Sequence, residues 1–204
     1  IHDYLRCVKA NDENVGRILV YLEESGLAGN TLICYSSDQG FYLGEHGWYD
    51  KRFMYNESFF TPLLMRWPGH IEPGTVVEEL VQNIDIAPTF LSLGKAPVPD
   101  TMQGEDLTHL LYGIKPLQWR SHLYYHFYES YDSMHKVAKH EGVFDGRYKL
   151  IHFYEIDEWE FFDCETDPHE MHNRISDASF RNTINSLKIE LSNLKRQYKV
   201  ESPL

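Results

Sequence analysis

The run Thr31-Leu32-Ile33-Cys34-Tyr35, almost without polar interruption, limits the fold more than any other feature of the chain. A strand so continuously apolar suits burial on both faces. Ahead of it, Leu5, Val8, Val15, Ile18, Leu19 and Leu22 recur at helical spacing, and Gly26 follows where a left-handed C-terminal cap belongs. Helix followed by buried strand is the grammar of an α/β fold. Leu63 to Trp67 gives a second buried strand, stopped by Pro68-Gly69. Val81 to Leu91 reads as a strand end feeding a helix, with Pro88 in the first turn, where a missing N–H costs nothing.

From about Trp119 the pattern changes to antiparallel strands. Ser121 to Tyr128 is rich in aromatics, Arg147 to Tyr154 partly alternates, and Trp159 to Asp163 forms a third run. Phe180, Ile184, Leu187, Leu191, Leu194 and Tyr198 then step by fours and threes after Ser176-Asp177, which can cap a helix lying over the sheet. The expected organisation is α/β over residues 1–117 and an antiparallel sheet with a covering helix over 118–204.

At 204 residues with a net charge of −12, the chain has no basic stripe to neutralise phosphates, which excludes a general nucleic-acid binder. An anionic substrate would need local cations. No apolar run approaches the length of a membrane span, about 20 residues, and the N-terminus carries no signal-peptide pattern. The chain begins as though cut from something longer. Cys7, Cys34 and Cys164 lie too far apart for a zinc ribbon or redox motif and are expected to be buried free thiols.

The first strand runs directly into Ser36-Ser37-Asp38-Gln39-Gly40, at the edge where open α/β sheets bind ligands. Asp38 and Gln39 both offer oxygen, which suits a hard cation such as Ca²⁺ or Mg²⁺, although the same tripeptide also suits a capped turn. Gly44-Glu45-His46-Gly47 follows, then Lys51. His135, Lys136, Lys139 and His140 make the densest basic run in an acidic chain. Asp85 reads as an anchor for the helix start at Pro88. Asn56-Glu57-Ser58 is a formal glycosylation sequon, yet it abuts the presumed site and is expected to be unused.

Taken in order, S-D-Q-G, G-E-H-G, an aromatic, Lys51, E-S-x-x-T-P, W-P-G, N-I-D-I-A-P-T-F, M-Q-G-E-D-L, D-G-R-Y-K-L-I, W-E-F-F-D and D-P-H-E resemble the sulfatase family across nearly the whole chain. The resemblance implies the C-terminal part of an alkaline-phosphatase-like α/β sandwich, followed by a smaller antiparallel sheet and helix. It implies sulfate ester hydrolysis on a glycan or an aryl sulfate, with Ca²⁺ held partly by Asp38 and Gln39. Lys51 would clamp the sulfate, and His46 would either touch substrate or pack the loop. His135 and His140 would read the surrounding sugar, against the plainer reading of a solvated loop.

Family members use a formylglycine made within C/S-x-P-x-R, and none of the three cysteines begins such a motif. The nucleophile and the early aspartates are therefore expected in an N-terminal half, without which this chain is inactive. Export to periplasm or cell surface, or to lysosomes in an animal, is implied by resemblance alone. Two alternatives stay open: a phosphonate monoester hydrolase or phosphodiesterase of the same superfamily, and a non-catalytic carbohydrate-binding module that stacks sugars on surface aromatics.

Overall fold

The computed structural model describes residues 1–200. Its contacts form two units, one of Ile1–Asp38, Thr61–Val77 and Leu107–Pro116, the other of Gln39–Phe60, Glu78–Asp106 and the chain from Leu117 onward.

In the first unit the apolar stripe gives helix α1, His2–Glu24. It stops as the sequence predicts: Gly26 takes a φ of 70°, its N–H donates to Glu23 O, and Leu27 N–H donates to Leu22 O at 2.9 Å. That pair of bonds is a Schellman cap. Strand β1, Ile33–Ser36, pairs antiparallel with β2, Leu63–Arg66; the short helices α2, Asn56–Phe59, in the second unit and α4, Thr108–Leu111, in the first sit on either side of β2 in sequence.

Neither strand is buried on both faces as expected. Tyr35 and Leu64 are exposed, α1 fully buries none of its side chains, and Cys7 lies exposed on it. One long helix, the single turn of α4 and two short strands supply too few side chains to close a core. An apolar groove of about 630 Å³, lined by Leu5, Val8, Val15, Leu19, Ile33 and Leu64 among others, stays open within this unit.

The second unit is closed. Its sheet is an antiparallel meander of β3 (Leu123–Phe127), β4 (His140–Phe144), β5 (Tyr148–Phe153) and β6 (Glu158–Asp163), in that spatial order. Period-two alternation gives it two apolar faces. Val143, Leu150 and Phe161 lie in one cross-strand row and pack beneath Ile184, Leu187, Leu191 and Leu194 of α5, Arg181–Gln197. The Asp177 side chain accepts from Ser179 N–H at 2.9 Å in the turn before that helix, where the cap was expected.

On the opposite face Leu123, Phe144, Ile151, Phe153 and Phe162 form a second cluster around Met54. Gly142 makes this possible, since a Cβ there would strike the Met54 thioether. Strand β4, which the sequence did not reveal, is consequently buried along its whole length.

Residues 81–85 form no strand. A 3₁₀ turn, Asn83–Asp85, leads into helix α3, Ile86–Leu93. Asp85 is fully buried and joins three segments: its carboxylate accepts from Gln82 N–H at 2.7 Å, from Glu105 N–H at 2.8 Å, and from both terminal nitrogens of Arg120. A buried carboxylate needs such a set of partners.

Candidate active site

Just past β1, Gly40 lies so close to Glu57 that a Cβ would collide with the Glu57 carbonyl oxygen. Only glycine permits this approach. Gly40 N–H then donates to Ser58 O at 2.9 Å, while the Gln39 amide nitrogen donates to Ser58 Oγ at 2.9 Å and to Lys51 O. Ser58 Oγ also donates to Lys51 O, at 2.6 Å. The main chain at Lys51 is thus held by two side chains. Tyr42 closes the loop from beneath: it is wholly buried, its hydroxyl donates to Phe53 O at 2.9 Å, and its N–H to Asp50 O at 2.8 Å.

His46 adopts a φ of 53°, with glycines of positive φ on both sides. Its ring stacks on Tyr55 at 4.4 Å between centroids, and Nε2 lies 3.3 Å from Glu57 Oε2, close enough for an ion pair but off the line of a hydrogen bond, so that oxygen has no hydrogen-bond partner. Asp38 follows Ser37, whose hydroxyl lies 3.4 Å from an Asp38 oxygen.

The most ordered charged arrangement is one that only partly shows in the sequence. Arg52 donates to Asp50 through one terminal nitrogen and, at 2.6 Å, to His135 Nε2 through the other. An arginine can only donate. His135 Nε2 therefore accepts, and the ring proton sits on Nδ1, which donates to Glu129 at 2.8 Å. Burial works against ionisation of Asp50, but the bonds from Lys51 N–H and the Arg52 guanidinium hold its carboxyl below the usual range.

Of the residues read from the sequence, His135 belongs to this chain of contacts and Lys51 is its covalent neighbour. Asp50, Arg52 and Glu129 were not anticipated, and the one available signal was the charged triplet Asp50-Lys51-Arg52 itself.

His140 does not share the exposure of its basic run. It is fully buried on β4, against Phe53, Tyr125, Phe127 and Phe153, with Nδ1 donating to Ala138 O and Nε2 without a partner. Burial lowers its pKa to about 4 from 6.5. On acidification through that window the unfolded chain takes a proton that the folded one refuses, so stability falls, and the loss levels off below about 4. That lowering corresponds to about 3 kcal/mol. Relative to wild type, His140→Phe should gain that amount between pH 6.5 and 4 in denaturant melts. Parallel curves for the two proteins would refute a neutral buried imidazole.

Behind the loop lies Lys149 on β5, with no exposed surface. Its ammonium donates to Met54 O at 2.8 Å and Asn56 Oδ1 at 2.7 Å, and pairs with Glu170 at 2.6 Å. Glu170 in turn accepts from Asn56 N–H at 2.6 Å. Burial lowers the Lys149 pKa, and the Glu170 charge opposes that shift. With its side chain bonded to Lys149 and to Pro168 O, Asn56 is engaged within the fold and poorly placed to serve as a glycosylation acceptor.

Comparison with known proteins agrees with this architecture. The family model described as N-sulphoglucosamine sulphohydrolase, C-terminal, matches residues 44–197. The chain belongs to that family, and with it to the sulfatases of the alkaline-phosphatase-like superfamily. It is 46% identical over 206 residues to an N-acetylglucosamine-6-O-sulfatase of Bacteroides thetaiotaomicron, a match that covers 100% of this chain and 37% of that protein. A solved structure, of a protein in complex with its substrate D-glucosamine-2-N,6-O-disulfate, superposes with a TM-score of 0.95 at 46% identity, over 98% of this chain and 41% of the other. The phosphonate monoester hydrolase of Agrobacterium radiobacter superposes with a TM-score of 0.81 at 27% identity, over 92% and 39%.

Proposed function

We propose that this chain is the C-terminal part of a sulfatase that hydrolyses a sulfate ester on a glucosamine-type sugar of a glycan. The observation that carries the reading is the Asp50-Lys51-Arg52 triplet, with its middle carbonyl pinned by Gln39 and Ser58 and its arginine fixed between Asp50 and His135. An ammonium on a pinned backbone suits the anionic sulfate oxygens and can donate to the departing sugar oxygen, where charge develops. A guanidinium and a carboxylate held in place suit sugar hydroxyls, as donor and acceptor respectively. The likeness to an N-acetylglucosamine-6-O-sulfatase, and to a solved structure in complex with a sulfated glucosamine, supports this choice of substrate.

Asp38 and Gln39 fit a hard cation. Lys51 O can only accept, so the nitrogen of the Gln39 amide must face it and the oxygen turns the other way. These two residues would give Ca²⁺ part of its shell of about six to eight oxygens. When bound, Ca²⁺ would polarise the sulfate group, and a formylglycine from the remainder of the protein would supply the nucleophile. The N-terminal half of the same protein is the occupant we assign to the open groove beside α1, because the sulfatase relative extends well beyond the 37% matched here. Export of the whole protein belongs to the same proposal. A phosphonate monoester hydrolase is the second reading, favoured by the likeness to the Agrobacterium enzyme.

Arg52→Ala in the full-length protein tests both. Loss of a charged hydrogen bond to the sugar, about 1.5–3 kcal/mol, should lower kcat/KM on a 6-O-sulfated glucosamine oligosaccharide by about 10- to 100-fold. An aryl sulfate, which has no sugar, should be spared. Equal losses on both substrates would move Arg52 into the sulfate site. Wild-type turnover of phosphonate monoesters but of no sulfate ester would favour the second reading.

A further inference from the structure

The connection from β3 to β4, residues 128–139, is too long for a tight hairpin and carries both Glu129 and His135. Its tip is exposed at Tyr131, Asp132, Met134 and Lys136, whereas Val137 and Ala138 are buried on the return. Near the two ends of this loop the Tyr131 and Lys139 amides have no partner in the sheet ladder. Both donate to one carboxylate oxygen of Glu155, in the turn between β5 and β6, at 3.0 Å each. The other oxygen accepts from Ser130 Oγ at 2.6 Å. Within the loop, Ser133 N–H donates to Ser130 O at 2.8 Å and His135 N–H reaches Ser133 Oγ at 3.3 Å, so the position of Ser130 is passed on to His135.

We propose that Glu155 is a positioning residue: it ties the outgoing limb of the 128–139 loop to the returning one and thereby holds His135 and Glu129 against Arg52. This role in sugar recognition rests on the proposed function. An exposed turn glutamate is ordinarily a solvated charge with no fixed contact, and three donors converging from both limbs of one loop are not that arrangement. The same donors, first the Ser130 hydroxyl and then the Lys139 and Tyr131 amides, pull its pKa down to about 2.

Glu155→Ala in the full-length protein removes both acceptor oxygens at once, whereas glutamine could keep the two amide bonds through its own oxygen and pair its NH₂ with the Ser130 hydroxyl. Two measurements decide the matter. Hydrogen exchange at the Tyr131 and Lys139 amides should accelerate by at least about tenfold, on the scale of a lost charge-assisted bond. KM for a sulfated glucosamine oligosaccharide should rise by about the same factor, with kcat little changed and aryl sulfate kinetics as in wild type. Unchanged exchange at both amides overturns the proposal. Accelerated exchange with kcat falling in parallel on both substrates also overturns it, because a general loosening would do that. If wild type cleaves neither substrate, the sulfatase reading fails, and exchange at the two amides alone decides whether Glu155 ties the loop.

Discussion

Lys51→Ala in the full-length protein should lower kcat/KM for sulfate esters by about 10²–10³-fold, the usual loss when one transition-state donor is removed, or about 2.7–4 kcal/mol. The loss of stability should be much the smaller effect. One reason is that the bonds from Gln39 and Ser58 go to the Lys51 carbonyl, which alanine keeps. Lys51→Arg should not restore the rate fully, since a planar fork replaces a point charge. Intact kinetics with a lowered melting temperature would make the side chain a structural one.

A large effect of the opposite kind is expected at Lys149. Lys149→Met should cost about 3–5 kcal/mol in denaturant unfolding, because it strands the Glu170 carboxylate in a buried site and removes the donor to Met54 O and Asn56 Oδ1. Replacing both partners, as Lys149→Met with Glu170→Leu, should be milder than the single change, since no lone charge is left inside. A cost below about 1 kcal/mol for Lys149→Met, within the range of an ordinary surface pair, would show that the ammonium is not needed there.

Strong periodicity was readable. The stripes of α1 and α5, with Gly26 and Asp177 at their ends, gave two helices, and the aromatic runs gave β3, β5 and β6. Strand β4 was hidden because it begins His140-Glu141-Gly142, three residues without an apolar side chain. Their burial depends on partners far away: Lys195 for Glu141 at 2.8 Å, and Met54 filling the space that Gly142 leaves. The basic run misled for the same reason, as His135 lies in a loop and His140 in a strand core. β1 was apolar enough to be found, but an apolar run does not say which way its neighbour runs. Asp38, Gln39 and Lys51 could be proposed from the sequence because they lie close together in a recognisable order. The Arg52–His135 contact spans 83 positions, and no local pattern announces it.

The anchoring of Met54 and Asn56 by Lys149 bears on how freely the segment from Phe41 to Asn56 could be transplanted. A loop exchanged between relatives, or grafted onto a different scaffold, would arrive without the ammonium behind it and with two backbone-proximal acceptors facing nothing. Successful grafts should therefore need Lys149 and Glu170 to travel with the loop, although neither touches it in sequence and both lie more than ninety residues downstream. In a set of natural variants the same dependence would show as inheritance in trio: loop, lysine and glutamate kept together or lost together.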